Sequence, residues 1–220
     1  MKIINASYEI LTPISDGGIE ELKHIEQIAR LCYKSSNLIS EDGESAKKMI
    51  KALIKNQHTA MLEHSMLSVK FTVNRAFSHE LVRHRMASFA QESQRYCSYN
   101  QDKFNHEITV IEPCFLKNVN HKEDKYMAWK RAIECAEDMY FILLDDCRCT
   151  PQEARSVLPN STKTEIVISA NYREWRAIFN LRAVGATGKP SPEMLEVMVP
   201  LLKELKTKIP EVFDDLEVSE

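Results

Sequence analysis

The sequence predicts an α+β protein, a mixed and largely antiparallel sheet with packed helices. Three observations lead there. Residues 64–73 (HSMLSVKFTV) alternate, with Leu67, Val69, Phe71 and Val73 on one side, which is the pattern of a half-buried strand. Segments 19–33 and 44–56 instead repeat their apolar residues at helical spacing. The two patterns follow one another without the regular strand–helix alternation of a parallel α/β sheet.

In chain order, residues 2–11 read as a first strand, and the Gly17-Gly18 pair breaks the chain after it. Leu22, Ile25, Ile28, Ala29 and Cys32 make one face of a helix from Ile19 to about Tyr33. Met49, Ile50, Leu53 and Ile54 do the same for a helix over Glu44 to Asn56. After the strand at 64–73, Asn74 caps a helix over about 75–85, because a short side-chain oxygen can accept from an N–H of the first turn. Residues 107–111 (EITVI) read as a short strand, about 122–149 as a long helix, and Pro151 as the first turn of a short one. Residues 163–171 (KTEIVISAN) read as a strand, and 173–184 and 192–209 as helices. Pro200 inside the last helix predicts a kink or a break, since proline lacks the N–H and clashes with the preceding turn. No internal repeat or low-complexity linker is visible, so residues 1–220 are expected to form a single domain.

Composition narrows the function classes. At 44% hydrophobic and 28% charged the chain is globular, and its 220 residues can bury a real core. A formal net charge of −3 supplies no general basic field for nucleic acid, so any anion must be held by a local cluster. No long apolar run suggests a leader or a membrane span. The six cysteines are scattered, with Cys147 and Cys149 alone close together and no C-x-x-C pair. That pattern points to reduced cytoplasmic thiols and away from zinc. Glycine is too scarce for a G-x-G-x-x-G turn, and around Gly188-Lys189 a phosphate loop would need other residues than Ala183 and Pro190. A bound dinucleotide must therefore be held by side chains.

The most informative stretch is 83–96, RHRMASFAQESQRY. By itself so polar a run reads as a solvated loop after a helix. Its three arginines and two serines also suit an anion, since the guanidinium fork matches phosphate oxygens. Arg83-His84-Arg85, seven further residues, Ser93, and then Arg95-Tyr96 resemble the signature of the flavin-dependent thymidylate synthases. QHTAMLEH (57–64), ARLCYKSS (29–36), EARSVLPNS (153–161) and NYREWRAIFNLR (171–182) are similar to further elements of that family, so the resemblance spans most of residues 29–195.

The resemblance implies the flavin-dependent thymidylate synthase fold, an FAD cofactor, and C5 methylation of deoxyuridine monophosphate (dUMP). Methylenetetrahydrofolate would give the carbon and NADPH the reducing power. It implies substrate contacts from Glu80, Leu81, Val82, Arg83, Gln91, Glu92, Ser93, Gln94, Arg95 and Arg182, and from Arg155 contributed by a neighbouring subunit. Flavin contacts would come from Ser35, His58, Ala60, Arg83, His84, Arg85, Gln91, Asn171, Arg173 and Ala177. Arg182 would be catalytic: a guanidinium at the N3–C4–O edge of uracil stabilises negative charge there and activates C5. No enzyme nucleophile and no metal are implied. The family's members are cytoplasmic homotetramers with shared sites, acting on small molecules and not on nucleic acid or membrane.

Plainer roles stand beside these. The consecutive triplet at a helix end points about 100° apart per residue, so its members must serve different partners. Glu80 and Arg83, three apart, can pair. His58, Glu63 and His64 at a helix-to-strand junction resemble a metal cluster, and His64 can be structural. Ser35 can close a helix, and Arg173, Arg176 and Arg182 can be exposed helix cations. Two departures from the family form are visible: Ala90-Gln91 replaces the commoner Asn-Glu, and residues 184–194 (VGATGKPSPEM) lack the usual Ala-Gln before an acid. They keep open a related enzyme with another pyrimidine nucleotide or one-carbon donor. A binding module stacking bases on Phe89 and Tyr96 is a further alternative, opposed by the net charge.

Overall fold

The computed structural model describes residues 1–101 and 104–218. The predicted first strand is two strands, β1 (Lys2–Ile4) and β2 (Ser7–Ile10). They part because they join different sheets. The remaining strands are β3 (Met66–Asn74), β4 (Ala87–Gln91), β5 (Thr109–Ile111) and β6 (Lys163–Asn171). β1 pairs in parallel with β5, Ile3 opposite Val110, while the other four form a sheet in the order β2-β3-β6-β4. β3 and β6 run antiparallel: the Ser68 and Ser169 hydroxyls meet at 2.6 Å, and Tyr172 N–H donates to the Ser65 carbonyl. The class is α+β, as the mixture of periods predicts.

Helices α1 (Ile19–Tyr33), α2 (Glu44–Lys55), α3 (Arg75–Leu81), α4 (Asp124–Phe141), α5 (Pro151–Ala154), α6 (Tyr172–Phe179), α7 (Pro192–Lys208) and α8 (Pro210–Phe213) complete the described chain. Several depart from their expected ends. α3 stops at Leu81, so the Arg-His-Arg triplet lies in the turn before β4 and not on a helix. β4 itself is hidden in the sequence: of its five residues ASFAQ only Phe89 favours a strand strongly. α4 and α6 each widen into a π turn, over Ile142–Asp146 and Asn180–Val184, and Gly185 (φ 82°) closes the second. α7 continues through Pro200 without the break that proline predicts. Pro200 faces solvent, while Val197, Met198, Leu201 and Leu202 are buried. Their burial outweighs the ~3 kcal/mol cost of the ring.

By its internal packing the chain divides into two units. The first comprises Met1–Ser7, Phe71–Arg83 and Ala90–Val167; the second comprises Tyr8–Lys70, His84–Phe89 and Ile168–Glu220. The first unit's core gathers Tyr99, Ile108, Val110, Ile133 and Tyr140, with the Tyr99 and Tyr140 rings edge to face. In the second, Trp175 is fully buried and its indole N–H donates to the Leu67 carbonyl at 2.9 Å, which ties α6 to β3. Phe179 and Phe213 pack edge to face beside it.

Also in the second unit, α1 and α2 are joined by a buried charge. Glu26, fully buried, accepts from Arg30 Nε at 2.8 Å and from the Ser45 hydroxyl on α2 at 2.8 Å. Removing one member of such a pair leaves the other charge without its counterion in a low-dielectric interior. Arg30→Leu should therefore destabilise the protein by about 3–5 kcal/mol, and Glu26→Leu/Arg30→Leu should recover part of that loss. Urea unfolding of the three proteins measures both; a double variant no more stable than Arg30→Leu alone contradicts the account.

Candidate active site

Asparagine ends both long strands and starts the helix that follows. Asn74 Oδ1 accepts from Phe77 N–H, and Asn171 Oδ1 from Glu174 N–H, each at 2.8 Å. With no intervening loop, the residues just beyond each cap are placed by the sheet.

In the first unit, that placement puts Arg75 beside the end of β4. Its guanidinium donates to the Thr164 hydroxyl (2.9 Å), the Glu92 carbonyl (3.3 Å) and Gln94 Oε1 (3.2 Å). Gln91 Nε2 donates to the same Thr164 hydroxyl (3.2 Å) and to buried Ser78 (2.9 Å). A glutamate at 91 could not donate these bonds, so the Gln91 departure is matched by two hydroxyls ready to accept. Ser93, Gln94 and Arg95 follow in a turn, in which Ser93 Oγ accepts from Arg95 N–H at 3.3 Å. The exposed Arg95 guanidinium lies 5.7 Å from the Tyr96 ring centre. Arg83 is also exposed. Burial, opposed by Glu92, and then the neighbouring Arg155 lower the Arg75 pKa. Arg155 stands in a single turn, Arg155–Val157, after α5. Two arginines close enough to feel each other's charge make a local field that suits an anion, although the chain as a whole is acidic.

Not every predicted substrate residue points the same way. The Glu92 carboxylate holds Lys163 (2.9 Å) and the Glu165 N–H (3.2 Å). Leu81 is fully buried in α3, Val82 is exposed, and Glu80 is partly buried. Arg75 and Thr164 were invisible as site residues: one reads as a helix start, the other as an inward strand position.

In the second unit, His84 is 6% exposed. Its Nε2 accepts from Arg182 Nε at 3.2 Å, and its Nδ1 lies 3.6 Å from Glu174 Oε1. This is not an ion pair, because burial first and Arg182 second push the imidazole down to about 4. Burial also raises the Glu174 carboxyl. Arg182 sits in the π turn after α6, which swings it out of the ordinary helical register. Arg173 is exposed and pairs with Glu63 at 2.5 Å, which uses the carboxylate that the sequence offered to a metal. The Thr59–His64 turn packs on α6; in it Ala60 is exposed, as is His58 before it. Ala177 is partly buried in α6 and Arg85 is exposed. Ser35 lies just past α1, after the C-cap Lys34; its backbone N–H donates to the Arg30 carbonyl at 3.2 Å and its hydroxyl accepts from Arg30 Nη1 at 3.5 Å. Glu174 was missed, since an acid in a first helical turn reads as a partner of the dipole.

A family model described as thymidylate synthase complementing protein matches residues 19–211. The chain belongs to that family. A flavin-dependent thymidylate synthase of Corynebacterium aurimucosum is 30% identical over 224 residues, covering 94% of this chain and 84% of that one. One from Geobacter sulfurreducens is 30% identical over 192 residues, covering 85% and 78%. Among solved structures, a UMP/dUMP methylase, PolB, from Streptomyces cacaoi, bound with 5-Br dUMP, superposes with a TM-score of 0.76. It shares 19% identity and covers 97% of this chain and 96% of its own, so it establishes the shared fold. Among the described residues no helix is long and apolar enough to cross a membrane.

The His84 environment sets a pH dependence. A neutral imidazole is favoured in the folded protein, whereas the unfolded chain takes up the proton near its ordinary value of 6.5. The folded state therefore binds fewer protons between pH 6.5 and about 4, and stability falls as the pH drops through that window. Glu174, with a raised pKa, contributes in the opposite sense, so a His84→Gln comparison isolates the histidine. Between pH 7 and 5, His84→Gln should lose less melting temperature than the parent; equal slopes by calorimetry contradict the buried neutral ring.

Proposed function

We propose that this protein methylates dUMP at C5 as an FAD-dependent thymidylate synthase, with methylenetetrahydrofolate as carbon donor and NADPH as reductant. The observation that carries the reading is the first unit's guanidinium cluster. Arg75 pins the strand end that displays Ser93, Gln94 and Arg95, and the neighbouring Arg155 adds a second positive charge. Such a set fits a nucleotide phosphate through charge-assisted, fork-shaped hydrogen bonds. The second unit's Arg85, Arg173 and His58 are exposed donors of the kind a dinucleotide diphosphate needs, and the glycine-poor sequence offers no backbone cradle in their place. The family's flavin, when bound, supplies the hydride that reduces the transferred carbon to a methyl group. The chain's own part is to bind, orient and polarise. Arg182, held by neutral His84, would stabilise negative charge on the uracil N3–C4–O edge, so that C5 attacks the one-carbon unit and then loses its proton as the carbon's bond to the folate nitrogen breaks and tetrahydrofolate leaves.

Relatives at 30% identity that carry this name support the activity, and the family match, running from 19 to 211, supports one functional domain over 1–220. A cytoplasmic homotetramer with Arg155 given to a neighbouring subunit completes the reading. Exposed Leu31, Tyr33 and Leu38 on the second unit favour such self-association. The uridine ribonucleotide is the second substrate to test, prompted by the departures at Ala90-Gln91 and 184–194 and by the likeness to PolB.

Purified protein should show a flavin spectrum and release tritium from [5-3H]dUMP in the presence of methylenetetrahydrofolate and NADPH. Arg182→Ala should keep the yellow colour and lose methylation. Arg155→Ala should raise the dUMP KM by about ten- to a hundredfold, the worth of a charge-assisted hydrogen bond. A colourless protein that takes up no FAD, or full turnover by Arg182→Ala, overturns the assignment.

A further inference from the structure

The Glu174 carboxylate lies largely out of solvent beside a group that carries no positive charge. Its side chain is 15% exposed, and the imidazole it faces is neutral. Taking a carboxylate out of water is costly, so its position asks for a reason. As a partner of the α6 dipole it could have lain in solvent at the helix start. Instead it approaches one particular nitrogen of His84.

That nitrogen decides what His84 can do. A neutral imidazole carries its one proton on one ring nitrogen and keeps a lone pair on the other, and its surroundings decide which is which. Arg182 donates through Nε to His84 Nε2, and a guanidinium has no lone pair to offer. The bond exists only while Nε2 is unprotonated and the hydrogen sits on Nδ1. An Nε2–H tautomer would set two donors against each other 3.2 Å apart. We propose that Glu174 is a positioning residue: the negative charge of its Oε1, 3.6 Å from His84 Nδ1, favours the tautomer with the ring proton on that atom, keeps the Nε2 lone pair for Arg182, and so helps orient the guanidinium.

The three residues come from separate places in the second unit's chain, the turn before β4, the first turn of α6 and the π turn that follows α6. Asn171 fixes Glu174 from behind by accepting its backbone N–H. The π turn brings Arg182 to the far side of the same ring. The carboxylate thus acts on the reaction through two intermediaries and touches no reacting atom. The link from Arg182 to uracil rests on the function proposed above; the tautomer does not.

The test separates the two. In histidine-selective 15N spectra at pH 7, the resonance pair that disappears in His84→Gln identifies His84 among the seven histidines. The parent should show a protonated Nδ1 and an acceptor-type Nε2, and Glu174→Leu should move the proton wholly or partly to Nε2. In turnover, Glu174→Leu should lower kcat by roughly ten- to a hundredfold while the dUMP KM changes less than threefold, because a misplaced guanidinium is felt in the transition state. Combined with Arg182→Ala it should cost nothing further, as two changes on one line of action do not add. Glu174→Gln, which keeps shape and an acceptor oxygen, should recover part of the loss. A parent His84 with its proton on Nε2, or losses that add with Arg182→Ala, overturns the proposal. If Glu174→Leu does not fold, the parent spectrum and Glu174→Gln still decide it. Absence of FAD binding and methylation in the parent overturns the functional reading and leaves the tautomer result standing.

Discussion

The two clusters, one in each unit, depend on the same arrangement of backbone. β3 and β6 run antiparallel, and each passes its chain to a helix through an asparagine cap. A cap of this kind satisfies a first-turn N–H that the helix cannot satisfy itself. It also removes the slack that a loop would introduce. Arg75 stands one residue past its cap, and Glu174 three residues past the other, so both inherit the rigidity of a strand. Trp175 anchors the second helix by giving its indole N–H to a β3 carbonyl. Preorganisation of this sort is what lets fixed charges stabilise developing charge without reorganising during reaction.

Electrostatics then assigns different work to similar residues. Arg75 is half-buried and bound to neutral oxygens, so it shapes the chain around Gln91 to Gln94. Arg83, Arg85 and Arg95 are exposed and suit a ligand's charge. The Arg182 Nε donates to the neutral His84 ring, which orients the guanidinium. Burial of His84 therefore favours the form of the ring that accepts from Arg182. The same logic explains why a chain of net charge −3 can present a cationic site: the clustering of guanidinium groups, and not their total, sets the local field.

Much of the fold was legible in the sequence because burial is periodic. The inward side chains of β3 and β6 alternate, and α1, α2 and α7 bury one stripe each, so period alone located them. β4 was not legible. An edge strand of small and polar residues has no hydrophobic signature, and it exists because β6 offers it hydrogen bonds. The end of α3 was missed for a similar reason: Val82 to Arg85 have no helix-breaking residue, and the turn forms because β4 must begin at Ala87. Pro200 predicted a break that apolar burial on the opposite face overrode.

Taken by itself, the sequence determined the class of fold, the spacing of the Arg-His-Arg, Ser and Arg-Tyr elements, and through them the family. Those features are local, since they are periods and intervals along one chain. Only the tertiary structure decided which side chains meet. The partnership of Arg75 with Gln94, of Gln91 with Ser78, of Arg173 with Glu63, and of Glu174, His84 and Arg182 joins residues up to 110 positions apart. No interval in the sequence encodes such contacts. The protonation of His84 belongs to the same category, because desolvation is a property of everything packed around the ring and not of the residues beside it in the chain.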